Sequence, residues 1–139
     1  PTLERLGRGG YGSVYKCDRH VWGQVAWKAL RPKDAAREFA AHAALPPHDS
    51  IVPIFDIGWP QCGLALLALP LYDSSLSTWA QARRATLQDE EVRHVTVVLL
   101  GALAHMHRSG VLHSDVNPAH ILAKGPGLCD IRRDVARVA

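Results

Sequence analysis

The sequence predicts an α+β fold, with an antiparallel sheet of five strands in the first half of the chain and helices in the second half. Up to Leu69, short apolar runs alternate with Gly- and Pro-containing turns, which is typical of strands joined by hairpins. After Ser75, apolar residues recur at the 3.6-residue spacing of a helix. The chain has 139 residues, of which 47% are hydrophobic, so it is long enough for one core and too short for two comfortable ones.

Composition and charge exclude several classes of protein. The net charge is +3 and the basic residues are scattered, which indicates a solvated surface and no nucleic-acid partner. The three cysteines lie far apart without a C-x-x-C pair, so neither a disulfide framework nor a zinc site is predicted. A reducing, intracellular compartment, cytoplasmic or nuclear, is therefore expected. No apolar run approaches the ~20 residues of a membrane-spanning helix, and no membrane partner is expected.

The predicted sheet contains one helix among its strands. The strands are expected at Leu3–Leu6, Ser13–Asp18, Gln24–Leu30, Ile51–Trp59 and Gly63–Leu69. Pro32 ends the third strand, and Asp34 is the predicted N-cap of an Ala-rich helix from Ala35 to Leu45.

A glycine-rich turn joins the first two strands. It consists of Gly7, Arg8, Gly9, Gly10, Tyr11 and Gly12. Without a Cβ in the way, backbone N–H groups of such a turn can approach phosphate oxygens. The β-branched and aromatic residues of Ser13–Lys16 indicate that a strand follows, so the dinucleotide-binding form of the motif is not favoured. Val14 would share a strand face with Gly12 and could cover a flat base. A hairpin with extra glycines is the structural alternative.

The third strand and the following helix supply a candidate ion pair. Alternation places Ala26 and Lys28 on one face of the strand, so a small residue leaves room for a base and a cation can reach phosphates. Glu38 is the only carboxylate of the predicted helix, which makes it the candidate partner of Lys28. The alternatives are a solvent-facing lysine and an unpaired surface glutamate.

Two helices are predicted after a connector over Leu69–Ser75. The first covers Leu76 to Arg84, and a capping box formed by Thr86 and Asp89 opens the second, which continues to about Ser109. The second helix is apolar on several sides, so we expect it to be buried. Its main apolar face consists of Val92, Val95, Thr96, Leu99, Ala102, Leu103 and Met106.

The segment His113–His120 combines an acid with several polar side chains. Asp115 is a candidate general base for a hydroxyl group, and Asn117 and His120 are spaced to lie beside it and contact a phosphate or a metal. A polar turn between two strands is the alternative. A short hairpin, with its return strand at Leu128–Cys129, would then bring Asp130 beside Asp115, and a carboxylate there is of the kind that holds Mg²⁺.

Together these segments resemble the motifs of a serine/threonine-type protein kinase, and the resemblance runs from about Leu3 to Asp130. The matching motifs are Gly7 to Val14 for G-x-G-x-x-G-x-V, Val25 to Lys28 for V-A-I-K, and His113 to Asp115 for H-R-D at two of three positions. The segment from Arg37 to Val52 also looks like helix C and the residues after it. The resemblance implies an N-lobe over residues 1–69, a hinge over 70–75, and the start of an incomplete C-lobe over 76–139.

The resemblance also implies ATP and Mg²⁺ as cofactors, a protein substrate, and transfer of the γ-phosphoryl group to a hydroxyl. Lys28, paired with Glu38, would contact the α- and β-phosphates, and Asp115 would orient or deprotonate the hydroxyl. Asp130, with His120, would hold Mg²⁺. The ATP site would be formed by Leu6, Gly7, Arg8, Gly9, Gly10, Tyr11, Gly12, Ser13, Val14, Ala26, Lys28, Leu69 and Leu71.

Several positions depart from the family pattern. Asn117 stands in place of the catalytic-loop Lys, and His120 replaces the Mg²⁺-binding Asn. Ser114 replaces the Arg of H-R-D, and Ile131-Arg132 replaces the Phe and Gly of D-F-G. The chain also stops without A-P-E, so we expect a fragment or short relative, with a partner chain covering the incomplete C-lobe.

Two other classes of protein with this fold are alternatives. A pseudokinase that binds a nucleotide or partner without phosphoryl transfer would fit the altered loop. A small-molecule phosphotransferase of the aminoglycoside or choline kinase type would also fit, because its H-G-D-x-x-P-x-N loop is as close to His113–Pro118 as the protein-kinase loop is. Leu67–Tyr72 resembles the hinge of herpesvirus kinases as well, which would suit a viral source and an infected host cell.

Overall fold

The computed structural model describes residues 3–9, 12–21, 23–60, 63–83, 86–125 and 130–133, and the chain divides into two units. The first unit comprises residues 1–42 and 53–71, and the second comprises residues 43–52 and 72–139. No helix within the described ranges is long and apolar enough to cross a membrane.

The first unit is built on an antiparallel sheet of five strands. The strands are β1 (Leu3–Gly9), β2 (Gly12–His20), β3 (Gly23–Leu30), β4 (Asp56–Gly58) and β5 (Ala65–Pro70). Their order in the sheet is β1-β2-β3-β5-β4, and every neighbouring pair is antiparallel. Leu30 and Leu67 are almost completely buried and form a core with Ala35 of the following helix. The predicted α+β fold with a five-stranded antiparallel sheet is confirmed.

The glycine-rich turn is shorter than predicted because β1 and β2 continue into it. Gly7 pairs with Val14, and Gly9 pairs with Gly12. Glycine has an ordinary backbone N–H and C=O, so it can complete a ladder even though its strand propensity is low. A prediction based on strand propensity alone therefore placed the ends of these two strands too far from the turn.

The strand predicted over Ile51–Trp59 was wrong in extent. Only Asp56–Gly58 is a strand, with a single isolated bridge residue at Ile51. Pro53 has no N–H to donate, so the ladder cannot pass through it. Pairing resumes near Phe55, whose N–H donates to the Ala68 carbonyl at 2.8 Å.

Helix α1 (Pro32–Ala43) begins earlier than predicted, so Asp34 is not its N-cap. Proline suits the first helical position, because its fixed φ is helical and the missing N–H would have no partner there. Asp34 lies in the first turn, where its carboxylate accepts from the Arg31 Nε at 2.7 Å. The buried residues of the helix include Ala35 and Glu38, so this face packs against the sheet.

The second unit combines two helices with a small sheet. Its elements are β6 (Ser74–Ser75), α2 (Leu76–Arg83), α3 (Asp89–Arg108), a 3₁₀ turn (Pro118–His120), β7 (Ile121–Lys124) and β8 (Asp130–Arg133). The strand order is β6-β7-β8, and both pairs are antiparallel. Leu76, Val95 and Ile121 form the core, with Ala123 beside them.

Helix α3 is buried along one stripe and not on all sides as predicted. Val95, Ala102 and Met106 are buried and follow helical spacing. Val97 and Leu100 lie outside this stripe and are 65% and 59% exposed. An amphipathic helix buries only the face that meets its neighbours, so additional apolar residues do not by themselves bury the other faces.

The capping box of α3 lies two residues later than predicted. Gln88 is the N-cap in place of Thr86, and its N–H donates to Glu91 Oε2 at 2.9 Å. Arg83 also donates to the Glu91 carboxylate. The Gln88 N–H, and after it the Arg83 guanidinium, hold the pKa of Glu91 below its usual range.

We expect the Glu91 charge to stabilise the fold in a pH-dependent manner. A carboxyl whose folded pKa is lowered contributes fully above its unfolded pKa and loses the contribution as pH falls through the folded pKa. Glu91→Gln should therefore lower the unfolding midpoint at neutral pH by about 2 °C, and the difference from wild type should disappear as pH falls through the folded pKa of Glu91. Thermal unfolding across pH measures this, with Glu90→Gln as the control. A deficit that persists in acid would contradict it.

Candidate functional site

Two of the four glycines in the hairpin of β1 and β2, Gly7 and Gly12, have different surroundings. A Cβ on Gly12 would lie 2.0 Å from the Ala29 carbonyl oxygen, so the close approach of β3 requires glycine there. A Cβ on Gly7 would meet nothing within 4 Å, so protein packing does not explain this glycine. Gly10 and Tyr11 were predicted to contribute to the same site and lie outside the described residues.

One face of the sheet collects several of the predicted nucleotide contacts. Val14 lies opposite Lys28, and Ala26 lies opposite Leu69. Cross-strand partners point to the same side of a sheet, and residues two apart on a strand do so as well. Val14, Ala26, Lys28 and Leu69 therefore share a face, and Leu71 follows just after β5 in a half-buried position.

The other predicted contacts that the structure describes lie along the hairpin of β1 and β2. Arg8 pairs with Ser13, and the register shifts between Arg5 and Gly7. Leu6 sits at this irregularity and is 47% exposed. An exposed leucine at a kink in an edge strand is free to contact a flat apolar ligand.

The Lys28 and Glu38 side chains form the predicted ion pair. Lys28 Nζ donates to Glu38 Oε1 at 2.7 Å, and the two side chains are only 12% and 5% exposed. Two charges removed from water require a close partner, because an unpaired buried charge costs several kcal/mol, about 3–5 in measured cases. The pairing therefore fixes where the cation of Lys28 lies on the sheet face.

The loop before the 3₁₀ turn places Asp115 by backbone geometry. His113 is buried, and its carbonyl accepts from the Asp115 N–H at 2.8 Å. Ser114 between them has φ of 59°, in the left-handed region that few residues other than glycine adopt. This tight bend turns the loop at the residue before Asp115.

The side chains of Asn117 and His120 lie beside Asp115, as their spacing predicted. Asn117 Nδ2 donates to Asp115 Oδ1 at 3.0 Å. His120 Nδ1 lies 2.9 Å from the Asp115 carbonyl oxygen and 3.5 Å from Oδ2. The sequence indicated proximity but did not show that both side chains would contact the acid itself.

Asp130 lies in the hairpin of β7 and β8, at a position set by the register of the two strands. It begins β8 and pairs with Lys124, whereas Ile121, the residue after His120, pairs with Arg133. Three residues of strand, about 10 Å, separate these two ends of the hairpin. The register therefore puts Asp130 opposite Lys124 and not opposite Ile121, while its position relative to Asp115 and its role with Mg²⁺ stay predictions. The return strand predicted at Leu128–Cys129 lies outside the described residues. Among the side chains that the structure describes, no three His, Cys, Asp or Glu converge on one point.

Two anchoring contacts in the second unit were missed by sequence reasoning. Asp73 Oδ2 accepts from the Gly125 N–H at 2.6 Å, which ties the connector to the end of β7. His105 Nε2 lies 2.9 Å from the Pro46 carbonyl, and its ring centroid is 4.6 Å from that of His48. The only sequence signals were an acid in the connector and a histidine on α3.

The family described as "Protein kinase domain" matches residues 1–131. The chain is 34% identical over 150 aligned residues to the serine/threonine-protein kinase PknK of Mycobacterium tuberculosis, covering 99% of this chain and 13% of that protein. It is 27% identical over 135 residues to the membrane-associated tyrosine- and threonine-specific cdc2-inhibitory kinase wee-1.3 of Caenorhabditis elegans, covering 92% of this chain and 20% of that protein. A probable serine/threonine-protein kinase of Streptomyces coelicolor is 31% identical over 130 residues, covering 84% and 19%. The chain thus spans only 13% to 20% of the length of these relatives.

The buried ion pair predicts a specific pattern of stability. Lys28→Met should lower the free energy of unfolding by about 3–5 kcal/mol, because Glu38 stays buried without this cation. Adding Glu38→Gln should recover about 2 kcal/mol of the loss, since the buried charge is gone. Urea denaturation measures both, with Arg93→Met at an exposed ion pair as the control. A double variant no more stable than Lys28→Met would contradict this account.

Proposed function

This chain belongs to the protein kinase family, and we propose that it binds ATP and transfers the γ-phosphoryl group to a serine or threonine hydroxyl of a protein substrate. The observation that carries the proposal is the Lys28–Glu38 pair, which holds a cation on the sheet face shared by Val14 and Ala26. A lysine held in this way contacts the α- and β-phosphates in kinases. The names of the Mycobacterium and Streptomyces relatives support serine and threonine as acceptors.

The nucleotide would bind on the sheet face of the first unit. Val14 and Ala26 would contact the base, because one is apolar and the other is small enough to leave space. The backbone of Leu69 and Leu71 would bond the edge of adenine, and Pro70 between them does not interfere because its missing N–H is not one that the base uses. Open space around Gly7 supports close approach of the phosphates.

Asp115 would act on the acceptor hydroxyl. Its carboxylate is 37% exposed, so a substrate side chain can reach it. A carboxylate within hydrogen-bond reach of the hydroxyl orients it and takes its proton as the bond to phosphorus forms. Phosphoryl transfer needs little covalent chemistry from the protein, so position is the main contribution of this residue.

Kinases act with a divalent cation, and His120 is a described side chain of the second unit that could bind one. His120 Nε2 has no hydrogen-bond partner within the part of the chain described, whereas Nδ1 contacts the Asp115 carbonyl. The cation supplies charge neutralisation to the phosphates when bound. Mg²⁺ prefers oxygen ligands, whereas imidazole nitrogen suits first-row transition ions, so His120 fits Mn²⁺ or Co²⁺ better than Mg²⁺.

Specific observations support the two alternative functions as well. Asn117 and His120 both contact Asp115, and an occupied acid would suit a pseudokinase that binds nucleotide without transfer. Ser114 has a φ of 59°, which is the conformation for which the Gly of H-G-D in small-molecule phosphotransferases is suited. A phosphoryl-transfer assay with protein and small-molecule acceptors separates these functions.

The two glycines of the hairpin should respond differently to alanine. Gly12→Ala should lower the unfolding midpoint without nucleotide, because its Cβ would overlap the Ala29 carbonyl. Gly7→Ala should leave the midpoint within about 2 °C of wild type yet weaken ATP binding about 3–10-fold, because the methyl group occupies the space that phosphates approach. Calorimetric titration with ATP and Mn²⁺ measures the affinity. Gly101→Ala on α3 is the control, and unchanged ATP affinity in Gly7→Ala would contradict the phosphate site.

Transfer from γ-labelled ATP to casein, in Mg²⁺ and in Mn²⁺, tests the proposed reaction. Asp115→Asn should lower kcat about 10²–10⁴-fold with ATP affinity unchanged, because only the acid acting on the hydroxyl is lost. Asp49→Asn, at an exposed loop acid, should behave as wild type. ATP binding without transfer by wild type would support the pseudokinase, and transfer to an aminoglycoside or choline but not to casein would support the small-molecule enzyme.

A further inference from the structure

We propose that Asn117 is a positioning residue in the place where kinases carry a lysine. Its uncharged amide holds the Asp115 carboxylate by a hydrogen bond. The inference rests on the proposed function, because it assigns Asn117 a part in the same phosphoryl transfer. It concerns position alone, since an amide brings no charge toward the transferred group.

The Asn117 amide is fixed at both ends. Its Oδ1 accepts from the Ala119 N–H at 2.9 Å, and its Nδ2 donates to Asp115 Oδ1 at 3.0 Å. Exchanging the two ends would place an N–H against an N–H and a carbonyl oxygen against a carboxylate oxygen. Both contacts therefore favour the same orientation of the amide. The first contact caps the 3₁₀ turn at Pro118, and the second aims a donor at the acid.

His120 holds the backbone of the acid from the other side. The Asp115 carbonyl oxygen, 2.9 Å from Nδ1, can only accept, so the proton of the neutral ring belongs on Nδ1. The Asp115 Oδ2 at 3.5 Å favours the same tautomer. Asn117 Nδ2 is 3.1 Å from Nδ1, and the second of its two N–H groups would favour the other tautomer. The two oxygen acceptors together favour a proton on Nδ1 more than the one amide opposes it. His120 therefore holds the backbone of Asp115, and Asn117 holds its side chain.

This arrangement leaves one oxygen for chemistry. Oδ1 accepts the 3.0 Å hydrogen bond from Asn117, whereas the contact of Oδ2 within the described part of the chain is the longer one to His120, at 3.5 Å. With Oδ1 held by the Asn117 amide, rotation of the carboxylate about its last bond is restricted. Catalysis depends steeply on such placement, because an error of about 1 Å can cost about 10²-fold in rate.

Three substitutions separate the capping contact from the positioning contact. Asn117→Asp and Asn117→Ser both keep an oxygen that can accept from the Ala119 N–H, but neither keeps the amide donor that reaches Asp115. Asn117→Asp adds repulsion of the carboxylate, whereas Asn117→Ser does not. Asn117→Ala loses both contacts. Thermal unfolding and casein phosphorylation are measured for each, with kcat and the KM for ATP determined separately.

We expect Asn117→Asp and Asn117→Ser to unfold within about 2 °C of wild type and to lose about 10–100-fold in kcat, with the KM for ATP changed less than about twofold. Asn117→Ala should lose activity and also unfold several degrees lower. If Asn117→Ser keeps the wild-type kcat, Asn117 is a structural cap only and the positioning role is refuted.

A side-chain amide signal tests the contact without relying on activity. The NH₂ resonances of Asn117 should shift on Asp115→Asn and stay unchanged on Asp49→Asn. An Asn117 signal insensitive to Asp115→Asn would refute the contact and with it the proposal. If the signal responds but wild type transfers no phosphate, the contact stands, whereas the proposed reaction fails together with the positioning role for it.

Discussion

Lys28 and Glu38 are each buried deeply enough that neither charge would be tolerated without the other. This requirement determines how α1 lies against the sheet, because Glu38 must face β3 at the level of Lys28. The small side chains Ala35 and Ala41, on the same side of the helix, are buried and permit a close approach. The position of the cation is thus set by helix packing.

The loop over residues 111–117 of the second unit is held by a different kind of interaction. Residues 111–117 have no regular secondary structure, so side chains supply many of the hydrogen bonds that a ladder would provide. Asn117 binds a backbone N–H and a carboxylate, and His120 binds a backbone carbonyl. Asn117 and His120 therefore each have a structural partner as well as a part in the proposed chemistry. The conformation of the loop thus depends on these residue types.

Sequence reasoning succeeded where residue type and spacing carry the information. The Lys28–Glu38 pair followed from strand alternation and from a single carboxylate on the helix, and the five strands followed from apolar runs between turns. It failed where a backbone feature decided the outcome. Pro32 moved the start of α1, Pro53 shortened β4, and the register of β7 with β8 placed Asp130 opposite Lys124. Register depends on pairing across the whole hairpin, which local patterns do not specify.

Gly7 and Gly12 belong to one motif, but the structure holds them in place for different reasons. The Ala29 carbonyl demands a glycine at position 12 whether or not a ligand is bound, whereas the surroundings of Gly7 make no such demand. In a lineage that stopped using ATP, drift should therefore be free at position 7 and restrained at position 12. A descendant that keeps Gly12 and has lost Gly7 would show, by this pattern, that its ancestor bound a nucleotide. A search for the complete glycine motif would miss such a chain.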